Sequence, residues 1–235
     1  MAAETLAPAI DLARANPVRI PNESAEYRTA RTALLAEEIE LRRHMERVAA
    51  LRRALPPGGP VTGDYRFQGE EGQVDLAGLF KDKQTLVTYS YMFGPQRERP
   101  CPMCTNLLGG WAANAADVEQ RASLVVIARS PIDKLLAFKR ERGWKDLRLY
   151  TDLTGAYSRD YFAITPDGSE VPAMNVFSRR DGVIRLFWAG EITDQAADPG
   201  QDPRGEPASV APLWDILDLT PEGRDPEWYP KLSYD

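Results

Sequence analysis

The chain has two cysteines among its 235 residues, and they stand together as Cys101-Pro102-Met103-Cys104. They fall where an apolar, strand-like run gives way to a helix-like one, a setting that suits thiol redox chemistry. A thiolate at a helix N-terminus faces unpaired backbone N–H groups and the positive end of the helix dipole, so its pKa falls. Two intervening residues bring the second sulfur within reach of the first and allow a small disulfide ring to open and close. A structural zinc site asks for four ligands. Beyond the cysteine pair the chain offers one histidine, His44, which lies in a separate helical segment and reads as a surface or interface residue. The redox reading therefore calls for no metal and no cofactor. Two alternatives stand beside it. One is an inert scaffold. The other is a copper(I) carrier, since paired thiolates suit soft ions, but no histidine or methionine-rich segment flanks the pair, and Met92 and Met103 read as core fillers.

Composition narrows the function classes. An apolar fraction of 43% and a charged fraction of 27% are ordinary for a globular chain, and 19 prolines promise many turns. A net charge of -6 sets the surface against nucleic acid and anionic membranes, so neither is expected as a partner. The first 20 residues include Glu4 and Asp11 and hold no uninterrupted apolar core, and no later run reaches membrane-spanning length. The expected location is cytoplasmic, where a structural disulfide is uncommon and a close cysteine pair points to catalysis or metal binding.

The elements that must position the pair follow from patterning. Residues 1–23, with Pro8, Pro17 and Pro21, read as an arm. Residues 24–60 read as a long helix, capped by Ser24 and free of Pro and Gly to Leu55, then a Pro/Gly linker. Tyr27, Leu34, Leu41, Val48 and Leu55 recur every seven residues, but Glu37 and His44 interrupt the companion positions. Packing on the body or on a second subunit is the expectation, and a homodimer is open. Residues 61–220 read as one domain: a hairpin around residues 69–72, a buried strand at 84–93, the cysteine pair, a helix at 107–120 and a strand at 123–128. A helix opened by Ser130-Pro131, a strand at 147–150, a helical or irregular stretch at 153–162 and a hairpin turning at Asp181-Gly182 follow, and a helix at 211–219 closes the domain. Residues 221–235 read as an extended tail. Trp111 is expected to pack over the site, and Asp152, Tyr157 and Asp160 are candidates to line a cleft. Arg97 and Arg99 are candidates to lower the pKa of Cys101.

This order gives an α/β fold with a mixed sheet flanked by helices, and it resembles thioredoxin-like proteins. Residues 89–95 (Tyr-Ser-Tyr-Met-Phe-Gly-Pro), the cysteine motif, Arg142-Gly143-Trp144 and residues 217–225 (Leu-Asp-Leu-Thr-Pro-Glu-Gly-Arg-Asp) are similar to the DUF899 family of predicted dithiol-disulfide oxidoreductases. The resemblance implies Cys101 as the attacking thiolate and Cys104 as the resolving thiol, acting on a protein or small-thiol substrate. It also implies a cis proline at Pro172, which with Val171 would contact an extended substrate. Two departures from thioredoxin stand out: Pro102-Met103 replaces Gly-Pro between the cysteines, and the preceding strand has no carboxylate to accept a proton from Cys104. The peroxiredoxin pattern Pro-x-x-x-Thr/Ser-x-x-Cys is absent at both cysteines.

Overall fold

The structure, a computed structural model, describes residues 6–198, 211–221 and 227–234. The stretch from 199 to 207 and the motif residues 222–225 lie outside the described residues. The chain divides into two compact units, Met1–Pro56 and Pro57–Asp235.

In the first unit, α1 (Ala9–Ala15) packs on α2 (Ala25–Arg53). Ser24 Oγ accepts the Tyr27 N–H at 3.0 Å and so caps one of the orphan donors of the long helix. Pro56 and Pro57 bar its continuation. The segment read as an arm thus contains a helix. α1 is seven residues long and buries Ala9 and Ala13, while its large apolar residues, Ile10 and Leu12, stand two apart and mark no helical face. Arg43 donates to the Ala7 carbonyl at 2.7 Å and ties the segment to α2. No residue of α2 is buried.

The second unit is built on a seven-stranded sheet, ordered β2-β1-β5-β4-β3-β6-β7. The strands are β1 (Arg66–Gly69), β2 (Gly72–Asp75), β3 (Thr85–Ser90), β4 (Ser123–Ala128), β5 (Arg148–Asp152), β6 (Ala173–Arg180) and β7 (Val183–Ala189). β3, β4 and β5 are parallel, while the β1–β2 hairpin and the β6–β7 hairpin flank them antiparallel. The parallel strands are joined by α4 (Pro102–Val118) and α5 (Ile132–Glu141). α3 (Leu76–Leu79) follows the first hairpin, α6 (Ala156–Asp160) follows β5, and α7 (Pro212–Leu217) packs on α4. The mixed sheet, with a cysteine pair at the end of a central parallel strand, is a thioredoxin-like arrangement.

Period-two alternation explains why β4 is central. Leu124, Val126 and Ala128 join the cluster that includes Leu107 and Leu108 of α4 and Leu135 and Phe138 of α5. Val125 and Ile127 join Phe67, Leu79, Phe80 and Phe177 on the opposite face. Every residue of β4 is buried. The β6–β7 hairpin turns through Asp181 and Gly182, both at positive φ (51° and 75°), the primed turn that an Asp-Gly pair favours.

The helix carrying the cysteines begins at Pro102, five residues before the start read from the sequence at 107. Proline at the first helical position needs no N–H partner and has its φ preset, so it opens the helix instead of delaying it.

Candidate active site

Cys101 is the N-cap residue of α4, with φ -59° and ψ 124°, and it is half-buried. Its N–H donates to the Met92 carbonyl at 3.0 Å, which folds the intervening loop back on itself, and its carbonyl accepts the Thr105 N–H at 3.0 Å. Thr105 Oγ1 also donates to that carbonyl at 2.8 Å and lies 2.5 Å from the Tyr91 hydroxyl. Position and carbonyl orientation of Cys101 are therefore fixed from strand and helix together. Cys104, one turn on, is 3% exposed. The two cysteines are free thiols with their side chains hydrogen-bonded to each other.

The pair is electrostatically divided. The Cys104 hydrogen bond holds the Cys101 thiol well below the ordinary thiol range, at about 6, against the opposing effect of burial. The backbone N–H groups of Cys104 and Met103 and the charge of Arg97 act in the same direction. Cys104 is pushed well above its ordinary value, because it donates to Cys101 and because it is buried. The Tyr89 hydroxyl beside it pulls the other way. Tyr89 sits on the α4 side of β3 and packs edge-on against Trp111 at 5.5 Å. It is the polar side chain beneath the pair, in a strand that has no carboxylate. The sequence reading missed it because a tyrosine within an apolar run reads as core.

The two candidate arginines separate. Arg97 Nε donates to Glu170 Oε2 at 2.8 Å, linking the cysteine loop to the segment before β6. Arg99 pairs instead with Glu141 and stacks over the Phe138 ring at 5.1 Å. An added Cβ at Gly94 would meet the Glu170 carboxylate at 2.1 Å, so a larger residue there would push that carboxylate away from Arg97. The sign of each change follows. Arg97→Gln raises the Cys101 midpoint by removing a favourable charge, and Glu170→Gln lowers it by leaving that charge unbalanced. Arg97 is the smallest of the named causes, so both shifts stay below that produced by losing Cys104. Alkylation of Cys101 as a function of pH, read by mass, checks both directions.

Beside the pair opens a cleft of about 1200 Å³, lined by Cys101, Cys104, Val171, Pro172 and Tyr229, among others. Val171 and Pro172 thus share one cleft with the cysteines. The Val171 N–H is already committed to the Ala163 carbonyl at 3.1 Å, so only its carbonyl could pair with an extended ligand. Met92 and Met103, read from the sequence as core fillers, also line the cleft, and Met174, distant in sequence, joins them there. Tyr229 comes from the C-terminal segment, whose Leu232 packs against the cluster around α4.

Asp152, Tyr157 and Asp160 are not among the residues lining it. Asp152 is buried and caps α6, accepting from Gly155 N at 2.9 Å and from Ser158 N and Oγ at 2.8 and 2.7 Å. Tyr157 is fully buried with its hydroxyl 2.7 Å from Thr88 Oγ1, and Asp160 accepts from the Tyr65 hydroxyl at 2.7 Å. Their polar atoms serve the fold. Tyr161 and Phe162, the next residues along, reach the cleft instead. Phe162 is 80% exposed and sits at φ 55°, a conformation that costs a bulky L-residue free energy and tends to persist at functional sites. His44 lies on α2, exposed, with Nδ1 3.2 Å from Arg47.

Fold and site together define a thioredoxin-like protein with a Cys-x-x-Cys pair at a helix N-terminus beside an open cleft. The chain belongs to the DUF899 family, described as a bacterial protein of unknown function, whose model matches residues 17–234. Among curated proteins none matches it. Solved structures similar to it include the peroxidoxin BcpB of Mycobacterium tuberculosis, at 22% identity and TM-score 0.44, covering 57% of this chain and 84% of that one. A reduced 2-Cys peroxiredoxin of Plasmodium vivax aligns at 15% identity and TM-score 0.43, covering 57% and 83%. The thioredoxin lipoprotein Etrx1 of Streptococcus pneumoniae aligns at 13% identity and TM-score 0.40, covering 54% and 87%. No helix among the described residues is long and apolar enough to cross a membrane.

Proposed function

We propose that this protein exchanges a dithiol for a disulfide, with Cys101 as nucleophile and Cys104 as resolving thiol. The observation that carries the reading is the division of the pair: a half-buried Cys101 with a pKa near 6 hydrogen-bonded to a buried Cys104 held above the ordinary thiol range. The Cys101 thiolate attacks one sulfur of a substrate disulfide. That S–S bond breaks, the departing thiolate takes a proton, and a mixed disulfide remains on Cys101. Cys104 then gives up its proton and attacks the Cys101 sulfur, releasing the second substrate thiol. The substrate has gained two electrons and the protein leaves as the Cys101–Cys104 disulfide, reset by an external dithiol. In a reducing cytoplasm the resting form is the dithiol. A redox titration with free thiols counted by alkylation tests this: the reading expects a single two-electron couple, and the absence of any defined couple sinks it.

Substrate contact falls to the cleft wall more than to backbone pairing, given the committed Val171 N–H. Phe162, exposed and held at positive φ, is the first candidate. Phe162→Ala is expected to raise KM roughly tenfold, with kcat and the Cys101 midpoint unchanged.

A second reading is favoured by one observation, the presence of Met92, Met103 and Met174 around the same cleft as both sulfurs. Thiolates with thioethers form a soft donor set suited to copper(I). Retention of one copper(I) against a competing chelator, weakened by Met→Leu changes at these positions, supports it. Retention insensitive to the methionines removes its basis.

A further inference from the structure

The long helix carries an apolar stripe independent of the cysteine site. Tyr27, Leu34, Leu41 and Leu55 are 52%, 53%, 59% and 44% exposed, and with half-buried Val48 they repeat every seven residues along α2 and its end. α1 packs on the same helix and leaves them exposed. Large apolar residues recurring in register along a helix of 29 residues make a seam of ~40 Å, the pattern by which one helix pairs with another.

Two features of the helix select the occupant. The stripe is symmetric about Leu41: a second copy running antiparallel sets Tyr27 against Leu55, Leu34 against Val48 and Leu41 against itself. The charges are divided about the same point. Before Leu41 the helix bears Glu26, Glu37, Glu38 and Glu40 against Arg28 and Arg31. After it come Arg42, Arg43, Arg47, Arg52 and Arg53 against Glu46 alone. A parallel pairing sets acidic half on acidic half and basic on basic. An antiparallel pairing sets each half against its opposite. A foreign partner gives no reason for this symmetry, and a second copy does.

We infer that α2 pairs antiparallel with α2 of a second copy about a dyad at Leu41, making the protein a homodimer. Glu37 and His44 at the companion positions then lie on the rim of a narrow seam, which accounts for the interrupted heptad. The pairing does not rest on the redox reading, and thiol titration is unaffected by its loss.

Sedimentation of the full chain is expected to give twice 26.2 kDa. Leu41→Glu places two carboxylates on the dyad and is expected to weaken association by roughly 100-fold, with helix content retained because Leu41 is exposed. Orientation is read by oxidative cross-linking with both native cysteines changed to serine. A mixture of Tyr27→Cys and Leu55→Cys chains is expected to give the mixed cross-link. A monomer at every soluble concentration, a dimer indifferent to Leu41→Glu, or cross-links joining position 27 to itself would each overturn the inference.

Discussion

Cys101→Ser is expected to lower disulfide exchange by roughly three orders of magnitude or more, because an alcohol offers no comparable nucleophile at neutral pH. The change separates chemistry from folding unusually well at this position. Cys101 is the N-cap of α4 and makes no side-chain cap hydrogen bond, whereas serine is among the best N-cap residues. Its carbonyl and N–H contacts to Thr105 and Met92 are backbone groups and survive the substitution. Below about pH 6, where the thiolate itself adds nothing to stability, the variant should therefore melt no lower than the parent while losing turnover. Turnover unchanged by it would remove Cys101 from the mechanism.

Cys104→Ala produces the second large effect, in two readouts. Turnover stops at the mixed disulfide, so a substrate remains covalently held on Cys101 and can be identified by mass. The Cys101 midpoint also rises from about 6 toward the ordinary value of ~8.5, since the Cys104 hydrogen bond is the largest cause of its depression. The rate at pH 7 is a poor guide to this shift. The thiolate fraction falls roughly 30-fold, but a more basic thiolate is intrinsically more reactive, and the two effects leave only a few-fold change. The midpoint itself is the quantity to follow. Cys104→Ser, which keeps a donor, is expected to fall between the parent and the alanine variant.

The same pKa shift links to stability with a definite sign. Cys101 releases its proton more readily in the folded reduced protein than in the unfolded chain. Its contribution to stability is therefore full above ~8.5, shrinks as pH falls, and is gone below about 6. Raised Cys104 acts in the opposite sense, lowering stability as pH climbs above the ordinary thiol range.

Much of the frame was legible from local pattern. Residues 123–128 form β4 because six consecutive apolar or small residues can be satisfied only by burial on both faces. The Asp181-Gly182 turn follows from the two positive φ values that such a pair tolerates. The cysteines were legible for a different reason: their scarcity and spacing carry chemical information without any fold. What escaped was long-range. Glu170 and Arg97 are 73 residues apart, and only the return of the chain before β6 brings them together. Met174 joins Met92 and Met103 at the cleft for the same reason. Asp152 looked available for chemistry because a carboxylate's type is visible in sequence and its hydrogen bonds to Ser158 and Gly155 are not. Phe162 was passed over because nothing in the sequence marks a positive φ at a non-glycine residue.

The central claim is that Cys101 is an acidic thiol kept so by its partner. Its most direct test is the pH dependence of Cys101 alkylation in the reduced protein, followed by mass on the intact chain. The account predicts a midpoint near 6 for Cys101 and no reaction of Cys104 over the same range. Equal labelling of the two sulfurs with a common midpoint in the ordinary thiol range would contradict it.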